Sequence, residues 1–473
     1  MINLTLKSRY SDKTYVSKRI NLLKLVHSFV SEVEIKEREI FDVFSSNKPY
    51  VINRFSHFCL ILFPFLFLKK SGDFIIFPYT RGKRKLSISI LPWNGKSEKY
   101  YVWEYFAFLV GKFQNLVGFK PILVFEKKSN FAADSGILVF QYLRKNYPGL
   151  PVYYIIKKKS RDFYKLQKDN HAIIFGSFKH LCYLCSAGLF VSTEGKGHSY
   201  FWGERNGLVA RSVKLKKFIF LQHGIIGFKR IDNIFNANNI YSPDIFVSSS
   251  KIEKNIINEN LGYGNSEKKE VVITGLPRFD SINFSQKRIY ITFFYTWRSW
   301  VERKTLKEQL ESDYIYHLRE VAKKAEKYKE IKIIIHPKLA QLMQKEVEKN
   351  PDVFIDTSKI SIKEILDETK LLITDYSSVA WESYYRNVPV IFDMFDQKQY
   401  EQEIGSYMNL DILPFGEKRN VLNEWEKVIN HPLLLTKEEK EMQELYFQFR
   451  DDKNTQRCAE HVLKYYKEVI KNE

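Results

Sequence analysis

LLITDYSSVAWESYYRNVPVIFDM, Leu371 to Met394, decides the fold. Two short apolar runs, LLIT and VPVIF, flank a stretch whose apolar positions recur at helical spacing. A strand, a helix and a second strand in such close succession form a βαβ unit. Units of this kind build parallel sheets with helices on both faces.

The same alternation extends upstream. VVITGLP, IYITFFYTW and IKIIIHP read as further strands, with LKEQLESDYIYHLREVAKKAEKY and SIKEILDE as helices. Nearer the N-terminus, PILVFE, HAIIFGS, AGLFVST, FIFLQHG and DIFVSSS form another strand series, with helices SGILVFQYLRKNY and SFKHLCYLCSA between them. The polar stretch NENLGYGNSEKKE separates the two series, so two similar doubly wound α/β halves are expected in tandem. The expected boundaries are 1–120 for a basic and aromatic N-terminal region, 121–265 and 266–435 for the two halves, and 436–473 for C-terminal helices packing back across them. In the first region, GDFIIFPYTRGKRKLSISILP reads as two strands around an Arg81-Gly82 turn, and KYYVWEYFAFLVGKFQNLVG as an apolar helix.

The chain has 473 residues, of which 44% are hydrophobic and 15% aromatic, enough for several packed cores and unlike a disordered composition. Lys and Arg outnumber Asp and Glu by 75 to 55, a surplus of +20 that favours anionic partners. Residues 1 to 120 hold 20 basic against 9 acidic residues, so +11 of the surplus lies there. Four cysteines are too few for a disulfide framework, and with no secretory signal a reducing cytoplasm is expected. Cys182-x-x-Cys185 lacks the second ligand pair of a structural zinc site and falls in an apolar helical pattern, so it reads as core. FCLILFPFLFLKK has 11 apolar residues from Phe58 to Leu68, interrupted by Pro64, too few to span a bilayer. It could lie at a lipid interface, aided by Lys69, Lys70 and the Arg81 to Lys85 cluster, or be an ordinary buried element.

Ligands of open α/β sheets bind beyond the carboxyl ends of the strands, and the unusual residues gather there. His223 and Gly224 follow FIFLQ, Arg278 follows VVITGLP, Thr296 and Arg298 follow IYITFFY, His336 follows IKIII, and Asp375 follows LLIT. In TDYSSVAWE, Asp375, Ser377 and Ser378 precede a helical run as N-cap residue types, with Glu382 one turn further on. Such a helix start suits a phosphate, although D-x-S-S alone is also an ordinary N-cap. Either histidine alone reads as a strand end. Together, one could act as general base while the other stabilises phosphate charge. Gly224 would allow close backbone approach, and Arg278 and Arg298 could neutralise a pyrophosphate. No P-loop, dinucleotide fingerprint or His-Glu-x-x-His occurs, and nothing calls for a metal or other cofactor.

From about Pro121 the chain resembles the CDP-glycerol glycerophosphotransferase family, whose members build polyol-phosphate chains of teichoic acids and some capsules. VFEKKSNFAADSGILVFQYLRK, the QHG segment, TGLPRFD, FFYTWR, IIIHPK, TDYSSVAWESYYRNVPVIF and FRDDKNTQRCAEHV carry the resemblance in order. It implies a GT-B architecture, two Rossmann-like domains with the donor held mainly by the second, acting at the inner face of the membrane. His223 would be the base that deprotonates the acceptor hydroxyl, and CMP would leave. His336 and Arg457 would stabilise the pyrophosphate, while Asp375, Ser377 and Ser378 hold the donor. The implied partners are a CDP-polyol and an anionic polymer or lipid-linked acceptor. Gln222 and Ile225-Ile226 depart from the family's pattern around the His-Gly pair, so the acceptor side is expected to differ. The rivals are a glycosyltransferase using a nucleotide sugar and a non-enzymatic polyanion-binding protein. The second lacks any recognisable nucleic-acid module.

Overall fold

A computed structural model of the chain describes residues 4–9, 12–17, 39–63, 66–93, 98–167, 170–201, 207–335, 337–355 and 361–472. The chain divides into two compact units, one comprising Met1–Ala132, Tyr147–Phe218 and Tyr466–Glu473, the other Ala133–Asn146 and Ile219–Tyr465.

In the first unit, strands β1 (Leu4–Ser8), β2 (Thr14–Ser17), β3 (Glu39–Ser45), β4 (Lys48–Pro49), β5 (Lys69–Ser71), β6 (Phe74–Arg81) and β7 (Lys85–Pro92) make an antiparallel sheet. Its order is β2-β1-β3-β7-β6-β5, with β4 on β3. The expected hairpin is present: β6 and β7 pair from Phe74↔Pro92 to Arg81↔Lys85. Alternation along the strands turns Leu4, Leu6, Phe41, Val43, Ile88 and Ile90 into one core.

The Phe58 to Lys70 stretch is not a single element. It contains the end of a helix, Arg54–Leu62, then β5, and residues 64–65 lie outside the described set. Leu60 and Phe67 enter the core, whereas Phe55, Phe58 and Leu66 are exposed. In the neighbouring cluster, Arg81 is bound to Asp42 at 2.6 Å, and Arg9 approaches the same carboxylate at 2.6 Å. Burial alone would raise the Asp42 pKa, but bonds from Arg9 and Ser87 bring it below the ordinary range.

The same unit holds four parallel strands, β8 (Ile122–Phe125), β9 (Val152–Ile156), β10 (Ala172–Ile174) and β11 (Leu189–Ser192). β9 pairs with β8 and β10, and β11 pairs with β8. All residues of β8 and β11 are buried, as expected of parallel strands covered on both faces. Cys182 and Cys185 lie buried in the helix Phe178–Ser186, and burial pushes their thiols up to about 11 and about 12. They are core residues. On the same helix, fully buried His180 accepts from the Gly176 N–H through Nδ1 at 3.0 Å and donates from Nε2 to the Ser199 carbonyl at 2.9 Å.

In the second unit, β12 (Lys217–Phe220), from Ile219 onward, pairs in parallel with β13 (Ile245–Ser248), and β13 pairs with β14 (Glu270–Ile273). VVITGLP therefore does not open the second strand series, as the polar NENLGYGNSEKKE stretch suggested. That stretch ends the helix Lys251–Asn260 and turns through left-handed Gly262, completing a short crossover that returns β14 beside β13. The second series begins instead at β15 (Tyr290–Phe294), followed by β16 (Ile331–Ile334), β17 (Phe354–Ile355), β18 (Thr369–Thr374), β19 (Val390–Phe392) and β20 (Glu417–Lys418). Their order is β17-β16-β15-β18-β19-β20, and every pair is parallel. The long helix expected after β15 is two helices, Leu306–Leu310 and Asp313–Ala325. Ser312 interrupts it as a new N-cap, accepting from the Ile315 N–H at 3.4 Å.

Candidate active site

β12 ends at Phe220, and Gln222 then adopts φ +59°, a left-handed conformation unusual outside glycine. Glu253, buried on the helix Lys251–Asn260, holds this turn. Its Oε1 accepts from the Ile226 N–H at 2.8 Å and Gln222 Nε2 at 3.0 Å, while Oε2 accepts from the Ser249 N–H at 2.6 Å. Burial raises the Glu253 pKa, against the opposing pull of these bonds. The result is a fixed loop that presents His223 exposed at the end of β12.

Gly224 has no room for a side chain: a Cβ there would lie 2.5 Å from Ser378 Oγ and 2.8 Å from Ser378 Cβ. The histidine loop therefore abuts the loop after β18. Both line a small pocket of about 90 Å³ with Tyr376.

Arg278 closes the cluster. TGLPRFD leaves β14 through Gly275, at φ +72°, and enters a short helical turn, Pro277–Ser281. The Arg278 N–H donates to Ser135 Oγ at 3.2 Å, and its guanidinium reaches Glu382 Oε1 at 2.9 Å and Asp134 Oδ1 at 3.5 Å. A further N–H donates to the His223 carbonyl. His223, Gly224, Arg278, Ser378 and Glu382, from three separate stretches of sequence, thus form one site. Within it Arg278 is already flanked by two carboxylates.

Thr296, Arg298 and Asp375 form a second, buried network. Asp375 accepts from the Thr296 N–H at 2.9 Å, Thr296 Oγ1 at 3.0 Å and Arg298 Nη1 at 2.7 Å. Arg298 also makes a fork to Asp396, at 2.7 and 3.0 Å, and lies over the rings of Tyr314 and Tyr376, with centroids 4.9 and 5.0 Å away. Burial alone would lower its pKa, but the two carboxylates more than reverse this and keep it charged. With 0% exposure, Arg298 presents no surface to a pyrophosphate, and neither does Asp375. Both differ from the expectation of direct donor ligands. Their bonds fix the ends of β15 and β18 instead. Thr296 does line open space, a cleft of about 590 Å³ that also receives Lys229, Arg230, Trp297 and Ile335.

Ser377 accepts from the Val379 N–H at 3.3 Å, whereas Ser378, the N-cap of the helix Val379–Tyr385, makes no side-chain cap bond. Arg457 is committed elsewhere: it donates to the Thr274 carbonyl at 3.0 Å and to Asp451 at 2.6 and 2.9 Å, and lies over Phe449. His336 lies outside the described residues. The sequence reading did not single out Glu253, Asp134, Ser135 or Asp396. The Ser250-x-x-Glu253 spacing signals a capping box, but the Glu253 carboxylate serves Ser249 and the histidine loop instead.

Parallel sheets with polar residues converging beyond their strand ends define a ligand-handling α/β protein, and the fold class is GT-B. Solved structures of the wall teichoic acid polymerase TagF share it. One matches with a TM-score of 0.54 and 17% identity over 78% of this chain and 95% of that one, and a form soaked with CDPG has a TM-score of 0.54 and 16% identity over 78% and 94%. Residues 112–464 match the family described as CDP-glycerol:poly(glycerophosphate) glycerophosphotransferase, and the chain belongs to this family. The minor teichoic acid biosynthesis protein GgaB of Bacillus subtilis (strain 168) is 26% identical over 376 residues, 73% of this chain and 40% of its own length. The teichoic acid glycerol-phosphate primase of the same organism is 27% identical over 158 residues, 32% of this chain and 38% of its own. The chain thus spans about two fifths of the length of these curated relatives.

Proposed function

We propose that this chain transfers a polyol phosphate, glycerol phosphate in the first instance, from a CDP-polyol to a hydroxyl of a growing surface polymer. The acceptor oxygen attacks the β-phosphorus of the donor, the bond from that phosphorus to the oxygen bridging to the α-phosphate breaks, and CMP leaves with the bridging oxygen. His223 receives the hydroxyl proton. The observation that carries this reading is the placement of His223: it is exposed at a strand end, in a loop pinned by Glu253 and against Ser378.

Positioning and charge stabilisation supply most of the catalysis in phosphoryl transfer. The 590 Å³ cleft offers exposed Lys229 and the Thr296 strand end to the donor. Arg278, braced by Asp134 and Glu382, stands beside the reacting groups, and Arg298 and Asp375 act as positioning residues behind the cleft. We place the reaction at the inner face of the membrane, on a polymer carried by lipid, a reading supported by the +11 surplus of residues 1 to 120.

The test is CMP release from CDP-glycerol, and from CDP-ribitol in parallel, with a polymer acceptor. His223→Ala should abolish turnover and retain donor binding. Release of a nucleoside diphosphate from a nucleotide sugar, with no CMP from either CDP-polyol, would replace this reading by glycosyl transfer in the same fold.

A further inference from the structure

Strands β8 and β9 of the first unit pair in parallel, so the loops that leave their carboxyl ends, beginning KKSN and KKKSR, emerge side by side. Ligands of open α/β sheets lie beyond such ends. No Asp or Glu occurs from residue 127 to 133 or from 147 to 161. The two loops are tied into one surface. The Lys157 N–H donates to the Ser129 carbonyl at 2.8 Å, the Tyr154 hydroxyl to the Phe131 carbonyl at 3.1 Å, and the Ala132 N–H to Asp162 Oδ2 at 3.0 Å. Lys128 and Ser129 both have left-handed backbones, at φ +57° and +59°, a costly pair outside glycine that these bonds hold in place. On the other loop, the Ser160 N–H donates to the Lys157 carbonyl at 2.9 Å and closes a turn with Lys158 and Lys159 at its tip.

The fold gathers positive charge here and does not neutralise it. Lys128, Lys158 and Lys159 are exposed and Lys157 is half-buried. Two aromatic rings support the cations: Lys157 Nζ lies over Phe175, 5.3 Å from the centroid, and the Arg161 guanidinium over Phe131 at 5.5 Å. Among the described residues no carboxylate pairs with Lys128, Lys157, Lys158 or Lys159. Asp162, the next acid along the chain, is buried and accepts from the Ala132 N–H and from Lys165 Nζ, the latter at 3.1 Å. Burial, and then the charge of Lys128, lower the Lys157 pKa. Two like charges are thus held close, an arrangement that an anion supplied from outside would relieve.

The number and spread of the charges select the occupant. Four lysines on two loops offer more positive charge than one phosphate neutralises, so a chain with a phosphodiester in every repeat fits better than a single monoester. The two rings carry cations on their faces, whereas single-stranded nucleic-acid sites leave such faces for bases. What the surface reads is therefore repeated backbone charge.

We propose that Lys128, Lys157, Lys158 and Lys159 form a holding site that retains a polyol-phosphate polymer by its phosphodiester backbone. The proposal rests on the transfer reading above for the identity of the polymer. The site lies wholly within the first unit, and none of its groups takes part in making or breaking a bond. Its effect is on how tightly a polymeric acceptor is kept.

The test is fluorescence anisotropy of a fluorescein-labelled glycerol phosphate oligomer titrated with the full chain over a range of salt. Anisotropy reads no CMP release, so binding can fail while the transfer chemistry stands, and the reverse. The unaltered chain should bind. Combining Lys128→Gln, Lys157→Gln and Lys158→Gln should weaken binding about tenfold or more at about 0.1 M salt, and make the slope of log K against log salt shallower by about 0.7 for each lysine removed. In transfer assays the same variant should raise KM for the oligomer as acceptor and leave kcat and KM for CDP-glycerol unchanged. Should it fold poorly because Lys157 is half-buried, Lys128→Glu with Lys158→Glu alters exposed positions only and should weaken binding at least as much. No binding by the unaltered chain, equal binding by either folded variant, displacement by glycerol 3-phosphate at equal phosphate concentration, or a single-stranded DNA oligomer of equal charge bound as tightly would each overturn the proposal.

Discussion

Replacing Glu253 by glutamine tests whether the histidine loop owes its shape to that buried carboxylate. The native group offers two oxygens to three donors, with Ile226 N–H and Gln222 Nε2 on one and Ser249 N–H on the other. Glutamine keeps one oxygen. Facing it toward Ile226 and Gln222 preserves two bonds and sets an NH2 against the Ser249 N–H, while the reverse orientation loses two bonds, so the first should prevail. One buried donor is then unsatisfied, costing about 1–3 kcal/mol. Glu253→Ala frees all three donors and should cost more. Because a displacement of about 1 Å can slow a positioned reaction roughly a hundredfold, kcat for CMP release should fall about tenfold in Glu253→Gln and about a hundredfold in Glu253→Ala, with KM for the donor little changed. There is also a pH signature. Burial raises this carboxyl above its ordinary 4.5, so over the window upward from 4.5 the folded chain binds more protons than the unfolded one, and the group's contribution to stability falls as pH rises. Glutamine lacks that slope, so its deficit in urea denaturation should narrow from pH 4.5 upward. Unchanged kcat in both variants, or a loss confined to KM, would refute the positioning role.

Three other perturbations probe the same scaffold. His180 is buried and neutral, with its pKa depressed from 6.5 to about 3, so stability is complete above 6.5 and is lost as pH falls toward 3, by up to roughly 4–5 kcal/mol. Thermal melts between pH 7 and 4.5 should therefore fall more steeply for the native chain than for His180→Gln, and parallel slopes would count against this. Gly275→Ala places a Cβ 1.9 Å from Asn454 Oδ1 at a residue with φ +72°, and should lower the urea midpoint by the equivalent of roughly 2 kcal/mol or more. Arg298→Lys keeps a charge but loses the fork to Asp396. It should destabilise by about 3 kcal/mol in chemical denaturation, and native stability with weakened donor binding would instead restore Arg298 as a direct ligand.

Most strands and the strand-end positions of the site residues could be read from LLIT, VPVIF, FIFLQHG and their counterparts, because fully buried parallel strands appear as short apolar runs. Partnership was harder to read. β14 reads as a short β-branched, apolar run no less than β15 does, and only its pairing with β13 shows which sheet it joins. The Arg298 side chain follows a strand end as Arg278 does, yet one is sealed between two aspartates and the other reaches the histidine loop. That difference comes from Asp396, 98 residues away in sequence. The apolar pattern of Glu98–Leu116 marked a helix, but which face is buried depends on Gly111 meeting Cys182 and Cys185.

Asp280 gives the C-terminal helix a role its own residues do not suggest. That carboxylate accepts from the Asn454 and Thr455 N–H groups at 3.1 and 2.6 Å and from the Asn454 side chain at 2.7 Å, two residues after Arg278 in TGLPRFD. The start of the helix Asn454–Asn472 thus serves as a keystone for the arginine that contacts the histidine loop. A truncation before residue 454 would therefore behave kinetically like an active-site lesion, and complementation by the separate C-terminal segment would measure how much of the catalytic geometry is held from the far end of the chain.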